Sequence, residues 1–289
     1  LKTGRNSIHL YADANCSGGD EESFESNNSF GPINLAIGTL SSGPTDVDVT
    51  IGGNLMGTYP MDPGESLVTS YQGTNGGPVV IKSNNGVGII ASLLQFRRPG
   101  SSGGWTGISQ TMAFTEAQIS DAYVFPRYDY ADNTKYNSIQ VANFDTINTN
   151  IIVEIGGIVR GTYPISVGGS QNVTFPSLVA GPVVVRSDNG AKIVASLYEL
   201  KRADTTGAWT GQTQMMGLPE SQLSDTYIIP RYNYTLLDVV PYLVFANADS
   251  VSTTITVTIG GVVRGTYGMD PGESLVQSYN GVNGGPVEI

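Results

Sequence analysis

The chain is short of the residues that most site chemistry requires. It has one cysteine, Cys16, and one histidine, His9. A single cysteine excludes an internal disulfide framework and a cysteine-rich zinc site. His9 has no partner at metal-ligand spacing, and no Gly-x-Ser-x-Gly elbow or Cys-His arrangement surrounds it, so a His-based triad is not expected. Charge is scarce too: Lys, Arg, Asp and Glu make up 13% of the chain, against about 25% in an ordinary soluble domain. With 14 basic and 25 acidic residues the net charge is -11, which disfavours nucleic acid and anionic membranes as partners. No apolar run reaches the roughly 18 residues of a membrane-spanning helix, so no membrane insertion is expected. No leader peptide is visible and Leu1 is not an initiator Met, which reads as a chain already processed.

What is present is apolar residues, glycine and tyrosine. Hydrophobic residues are 39% of 289, with 37 Gly and 15 Tyr, enough for two or three domains. Their surfaces must be covered mainly by Ser, Thr, Asn, Gly and Tyr.

The strongest signal is internal repetition. Ile51-Gly52-Gly53 recurs as Ile155-Gly156-Gly157 and Ile259-Gly260-Gly261, a register of 104 residues. In the same register Trp105 matches Trp209, Met112 matches Met216, and Pro126-Arg127-Tyr128 matches Pro230-Arg231-Tyr232. Met61 to Leu67 reappears unchanged as Met269 to Leu275. A period near 100 is the length of a domain, well beyond the 20 to 50 residues of a solenoid repeat.

The copies differ in completeness. The reading is an N-terminal arm over 1–30, a first β-sandwich over 31–98 without its front part, a complete second over 99–202, and a third over 203–289 without its last strand. Alternation of apolar and polar residues at 151–155 and 255–259 marks strands. The Gly-Gly pairs after them suit two-residue hairpins, and Asp-Pro-Gly-Glu suits a turn. Ser187 to Gly190 reads as the tip of a hairpin joining the last two strands of the second copy. Counted this way, each full copy has about seven short strands, which predicts an all-β chain of tandem immunoglobulin-like β-sandwiches. Single helical turns are expected at 114–119 and 218–223, with Trp105, Met112, Trp209, Met216 and Leu218 packing between domains.

A sandwich short of a strand exposes a sheet edge and an apolar groove. Residues 4–12 resemble 85–93, the strand that the third copy lacks. Ser7, Ile8, His9, Leu10, Tyr11 and Ala12 therefore form the expected donor strand, with Ile8 and Leu10 on one face. Gly285, Pro286, Val287, Glu288 and Ile289 form the expected acceptor edge. Strand addition between copies is heterologous and grows into a filament. The alternatives are a fragment cut at Ile289, and a strand 8–12 that belongs to the first sandwich of its own chain.

Other candidates are weaker. Asp46, Asp48, Asp62 and Glu65 lack EF-hand spacing, and the acids from Asp13 to Glu25 read as a solvated loop. No metal or cofactor is expected. Arg127 and Arg231, flanked by tyrosines, suit cation–π or inter-domain contacts. Asn27, Asn172 and Asn233 head Asn-x-Ser/Thr triplets, candidate glycosylation sites of a secreted chain.

The series Trp209-Thr-Gly, Met215-Met-Gly-Leu-Pro, Tyr227-Ile-Ile-Pro-Arg-Tyr-Asn, Ile259-Gly-Gly-Val-Val-Arg-Gly-Thr-Tyr and Gly284-Gly-Pro-Val resembles the tandem sandwich modules of large secreted or surface-exposed bacterial proteins, over about 31–289. The resemblance implies an extracellular or cell-surface, non-enzymatic setting. In assembly logic the chain resembles donor-strand fibre subunits such as pilins, without a shared motif. The expectation is a structural subunit of an extracellular filament whose partners are copies of itself. The alternative is a fragment of a surface adhesin that binds glycans or a cell surface. A carbohydrate-active enzyme using paired acids is a distant third.

Overall fold

The computed structural model describes residues 33–39, 42–97, 107–207, 209–235 and 240–289. Among them the chain is all-β, with two single 3-10 turns at Glu116–Gln118 and Glu220–Gln222.

The first sandwich contains β1 (Ile33–Thr39), β2 (Thr45–Ile51), β3 (Asn54–Met61), β4 (Ser66–Tyr71), β5 (Val79–Ser83), β6 (Ile89–Arg97) and β7 (Gly107–Met112). One sheet runs β4-β1-β6-β7 and the other β3-β2-β5. The period-two pattern explains why the sheets face each other: Val47, Val49 and Ile51 point inward from β2, and Leu35 and Ile37 meet them from β1. Buried apolar area of this kind stabilises by about 25 cal/mol per Å².

The second sandwich contains β8 (Ala122–Phe125), β9 (Tyr128–Tyr130), β10 (Lys135–Asn143), β11 (Thr149–Ile155), β12 (Ile158–Ile165), β13 (Ser170–Val173), β14 (Leu178–Ala180), β15 (Val183–Ser187), β16 (Ile193–Arg202), β17 (Trp209–Met216) and β18 (Leu218–Pro219). Its sheets are β13-β10-β16-β17 and β12-β11-β15-β8-β18, with β9 and β14 paired beside them. Its core is the largest, drawing Ile139, Val141, Ile193 and Ala195 from one sheet and Ile151, Val153, Val183 and Tyr123 from the other. The β11–β12 hairpin turns through Gly156 and Gly157 at φ 62° and 72°. Only glycine reaches both angles without strain, which is why the pair recurs.

The third sandwich contains β19 (Ile228–Ile229), β20 (Tyr232–Asn233), β21 (Leu243–Ala246), β22 (Thr253–Ile259), β23 (Val262–Met269), β24 (Ser274–Gln277), β25 (Asn283–Gly284) and β26 (Val287–Glu288). One sheet runs β19-β26-β22-β23; β21 pairs with β24 and β20 with β25.

Two sequence expectations change. The expected boundaries at 98/99 and 202/203 each fall between hydrogen-bonded neighbours. β7 pairs with β6 from Ser92↔Met112 to Arg97↔Gly107, and β17 pairs with β16. The first and second sandwiches thus each take a closing strand, β7 and β17, from the stretch that follows the expected boundary. The hairpin expected at Ser187 to Gly190 does not form either, because β15 and β16 lie in opposite sheets. The turn there carries the chain across the sandwich, held by Asn189 accepting from Thr149 Oγ1 at 2.8 Å.

Candidate functional site

The site that differs among the three sandwiches is one strand edge. In the first, β1 lies between β4 and β6; in the second, β10 lies between β13 and β16. The corresponding strand of the third, β21, pairs with β24 from Leu243↔Gln277 to Ala246↔Ser274. Among the described residues no strand pairs with its other edge. Leu243 and Phe245 point into the core while Val244 and Ala246 are half-buried. In the second sandwich the strand at this position, β16, sends Ile193, Ala195 and Leu197 inward. Among the described residues the third core has no such contribution, and its buried members are Tyr232, Leu243, Phe245, Val257, Ile259, Met269 and Val287.

The acceptor edge expected at Gly285 to Ile289 is occupied. β26 lies between β22 and β19, pairing Ile259↔Val287 on one side and Ile229↔Val287 on the other. Ile289 and Tyr227 exchange both backbone hydrogen bonds, at 3.0 and 2.9 Å. A strand corresponding to β16 would, in this topology, lie beside β21, in the sheet opposite β26. The expected donor residues Ser7 to Ala12, with Cys16, Asn27 and Trp105, lie outside the described residues.

The expected inter-domain residues separate. Trp209 is buried with Tyr136, Tyr198 and Leu200. Arg202 lies 4.5 Å from its ring centre and Arg97 of the first sandwich 6.0 Å, within reach of a cation–π attraction. Two hydrogen bonds join the same sandwiches: Thr111 Oγ1 donates to the Gln214 carbonyl at 3.2 Å, and Gln212 Nε2 to Gln95 Oε1 at 3.2 Å. Met216 is half-buried on β17, and Leu218 pairs with Val124 in the second sandwich. Met112 is 51% exposed, a correction to its expected packing role. Its neighbours Thr111 and Ser109 take the inward positions of β7, so the period of two turns Met112 outward.

A second contact joins neighbouring sandwiches at their ends. The β2–β3 hairpin of the first abuts the turn after β12 in the second: a Cβ built on Gly52 would lie 3.6 Å from the Gly168 carbonyl oxygen. The β11–β12 hairpin abuts the turn after β23 in the third, where a Cβ on Gly272 would lie 3.1 Å from Gly157 N. Beside each, Gly77 faces Ser170 and Ala142, and Gly181 faces Ser274.

Two acids, Asp129 and Glu199, share one half-buried group in the second sandwich. Asp129 pairs with Lys135 and, at 3.8 Å, with Arg127. Glu199 accepts from Asn137 Nδ2 at 3.0 Å. Burial, and then the neighbouring Asp129, hold the Glu199 carboxyl above its usual range. Arg231 donates to Asn283 Oδ1 at 3.1 Å, so each of these arginines has a partner within its own sandwich. Asn172 is exposed on β13, and Asn233 accepts from Thr235 in its own triplet. No cluster of three or more metal-binding side chains occurs among the described residues. No described helix is long and apolar enough to cross a membrane.

No protein-family model, curated protein or solved structure matches the chain.

Proposed function

We propose that this chain is a structural subunit of an extracellular filament, in which the N-terminal strand of one copy adds to the third sandwich of the next. The observation that carries the reading is the edge of β21 that no described strand pairs, beside the inward-facing Leu243 and Phe245. Strand addition supplies main-chain hydrogen bonds along such an edge and side chains at every second position for the core. Residues Ile8, Leu10 and Ala12 alternate as Ile193, Ala195 and Leu197 do in β16. The acceptor in this reading is Leu243 to Ala246, in place of 285–289. A low density of charge suits repeated self-association, because like charges then oppose docking weakly.

The test is size-exclusion chromatography with light scattering on the whole chain and on a variant lacking residues 1–12. Oligomers formed by the parent and lost in the variant are the expected result. Assembly that persists unchanged in the variant, or a parent that stays monomeric at every concentration, contradicts the proposal.

A further inference from the structure

We propose that the first and third sandwiches each carry one half of the hairpin-on-turn joint that links neighbours inside the chain, and that these halves dock copies of the chain head to tail. The joint has an upstream face, the Gly-Gly hairpin with its adjacent Gly-Pro, and a downstream face, a glycine turn with its adjacent serine. It is made twice, with Gly52 on Gly168 and Gly156 on Gly272, in the same register of the repeat.

Exposure follows the joint. Gly52 and Gly156 are half-buried, whereas Gly260 is exposed. Gly77 and Gly181 are buried, whereas Gly285 is exposed. On the downstream face Gly168 and Gly272 are half-buried, whereas Gly64 is exposed and has nothing within 4 Å of a built Cβ. The described chain therefore presents one upstream face and one downstream face without a partner.

These two faces match a pair that is already engaged. The turn Met61 to Leu67 is identical to Met269 to Leu275, which receives the hairpin of the second sandwich. The free hairpin, Ile259 to Tyr267, differs from that hairpin, Ile155 to Tyr163, only by Val262 for Ile158. A surface that fits Ile155 to Tyr163 onto Met269 to Leu275 will fit Ile259 to Tyr267 onto Met61 to Leu67. In both joints the backbones meet at glycines. The partner is a second copy of this chain, and the contact is heterologous, so it leaves both ends open to growth. Its direction agrees with strand addition but does not depend on it.

The experiment is sedimentation velocity on the whole chain over a range of concentrations, with two variants. Ser66→Arg puts a long charged side chain on the exposed downstream face. Gly260→Asp makes an Asp-Gly hairpin, which keeps the turn type, and puts a charged side chain where the hairpin would meet the glycine turn of the next copy. With residues 1–12 deleted, so that strand addition plays no part, the parent is expected to gain mass with concentration, and each variant alone to remain a monomer. An equimolar mixture of the two is expected to form a species of twice the monomer mass and stop there, because one intact face of each kind remains. That dimer also shows that both variants are folded. A parent monomeric at every concentration overturns the joint, as do variants that assemble like the parent. Deleting residues 1–12 separates the two proposals. Assembly that needs these residues but ignores Ser66 and Gly260 leaves strand addition alone standing. Assembly that survives the deletion and is blocked by Ser66→Arg leaves the joint alone standing.

Discussion

Removing one oxygen atom tests the packing account of the second sandwich. The Tyr128 side chain is fully buried. Its hydroxyl donates to the Asn137 carbonyl at 2.7 Å and accepts from the Phe175 amide at 2.8 Å. It thereby ties β10 to the segment after β13, and burial raises its pKa above the usual tyrosine value. Tyr128→Phe keeps the ring and leaves two buried backbone groups without partners. Each such group costs about 1–3 kcal/mol, so about 2 kcal/mol is the lower expectation. For a domain of this size that lowers the unfolding midpoint by about 8 °C or more. Scanning calorimetry of the whole chain reads the shift in the transition of this sandwich. The third sandwich repeats the device, with Tyr232 Oη donating to the Pro241 carbonyl at 3.1 Å and accepting from the Tyr279 amide at 2.7 Å. Tyr232→Phe should therefore shift a different transition. Changes within about 0.5 kcal/mol in both variants, the size of an ordinary surface substitution, would refute the reasoning.

Glu199→Gln should raise the unfolding midpoint at neutral pH. A carboxyl whose pKa is raised on folding contributes stability below its usual range and loses it as pH rises through the folded value. The gain should shrink toward pH 3, and a pH series of melting curves reads it. Gly217→Ala should destabilise the second sandwich by about 1–3 kcal/mol, since the new Cβ would lie 2.8 Å from both Phe125 Cζ and Tyr123 Cβ; urea unfolding measures this. Trp209→Ala should cost about 3–5 kcal/mol, while Met112→Ser, on an exposed position, should stay within about 0.5 kcal/mol.

The repeat and the strand alternation made the all-β sandwich class legible, because apolar residues at every second position have few other ways to be buried. The single helical turns were legible from Pro219 and Glu220 and from the repeat that carries the pattern to 114–119, where the two 3-10 turns lie. Sheet membership was not legible. Ser187 to Gly190 has the composition of a hairpin tip, yet the chain there crosses between sheets, and nothing local to four residues encodes that choice. The same crossing moved the acceptor edge from Val287 to Leu243 to Ala246. The signal that would have found it is the pairing of β10 with β16, strands about 50 residues apart in sequence, as in Val141↔Ala195. The joint at Gly156 and Gly272 was half visible, since the glycines stood out as turns. Their meeting across sandwiches is a consequence of the shape of the fold.

The central claim is that the open edge of β21 receives residues 4–12 of another copy. Amide hydrogen exchange on a variant lacking residues 1–12, with and without a synthetic peptide of residues 4–12, measures this directly. Slowed exchange in Leu243 to Ala246 when the peptide is present is the predicted result. Exchange in those four residues that is unchanged at saturating peptide contradicts it.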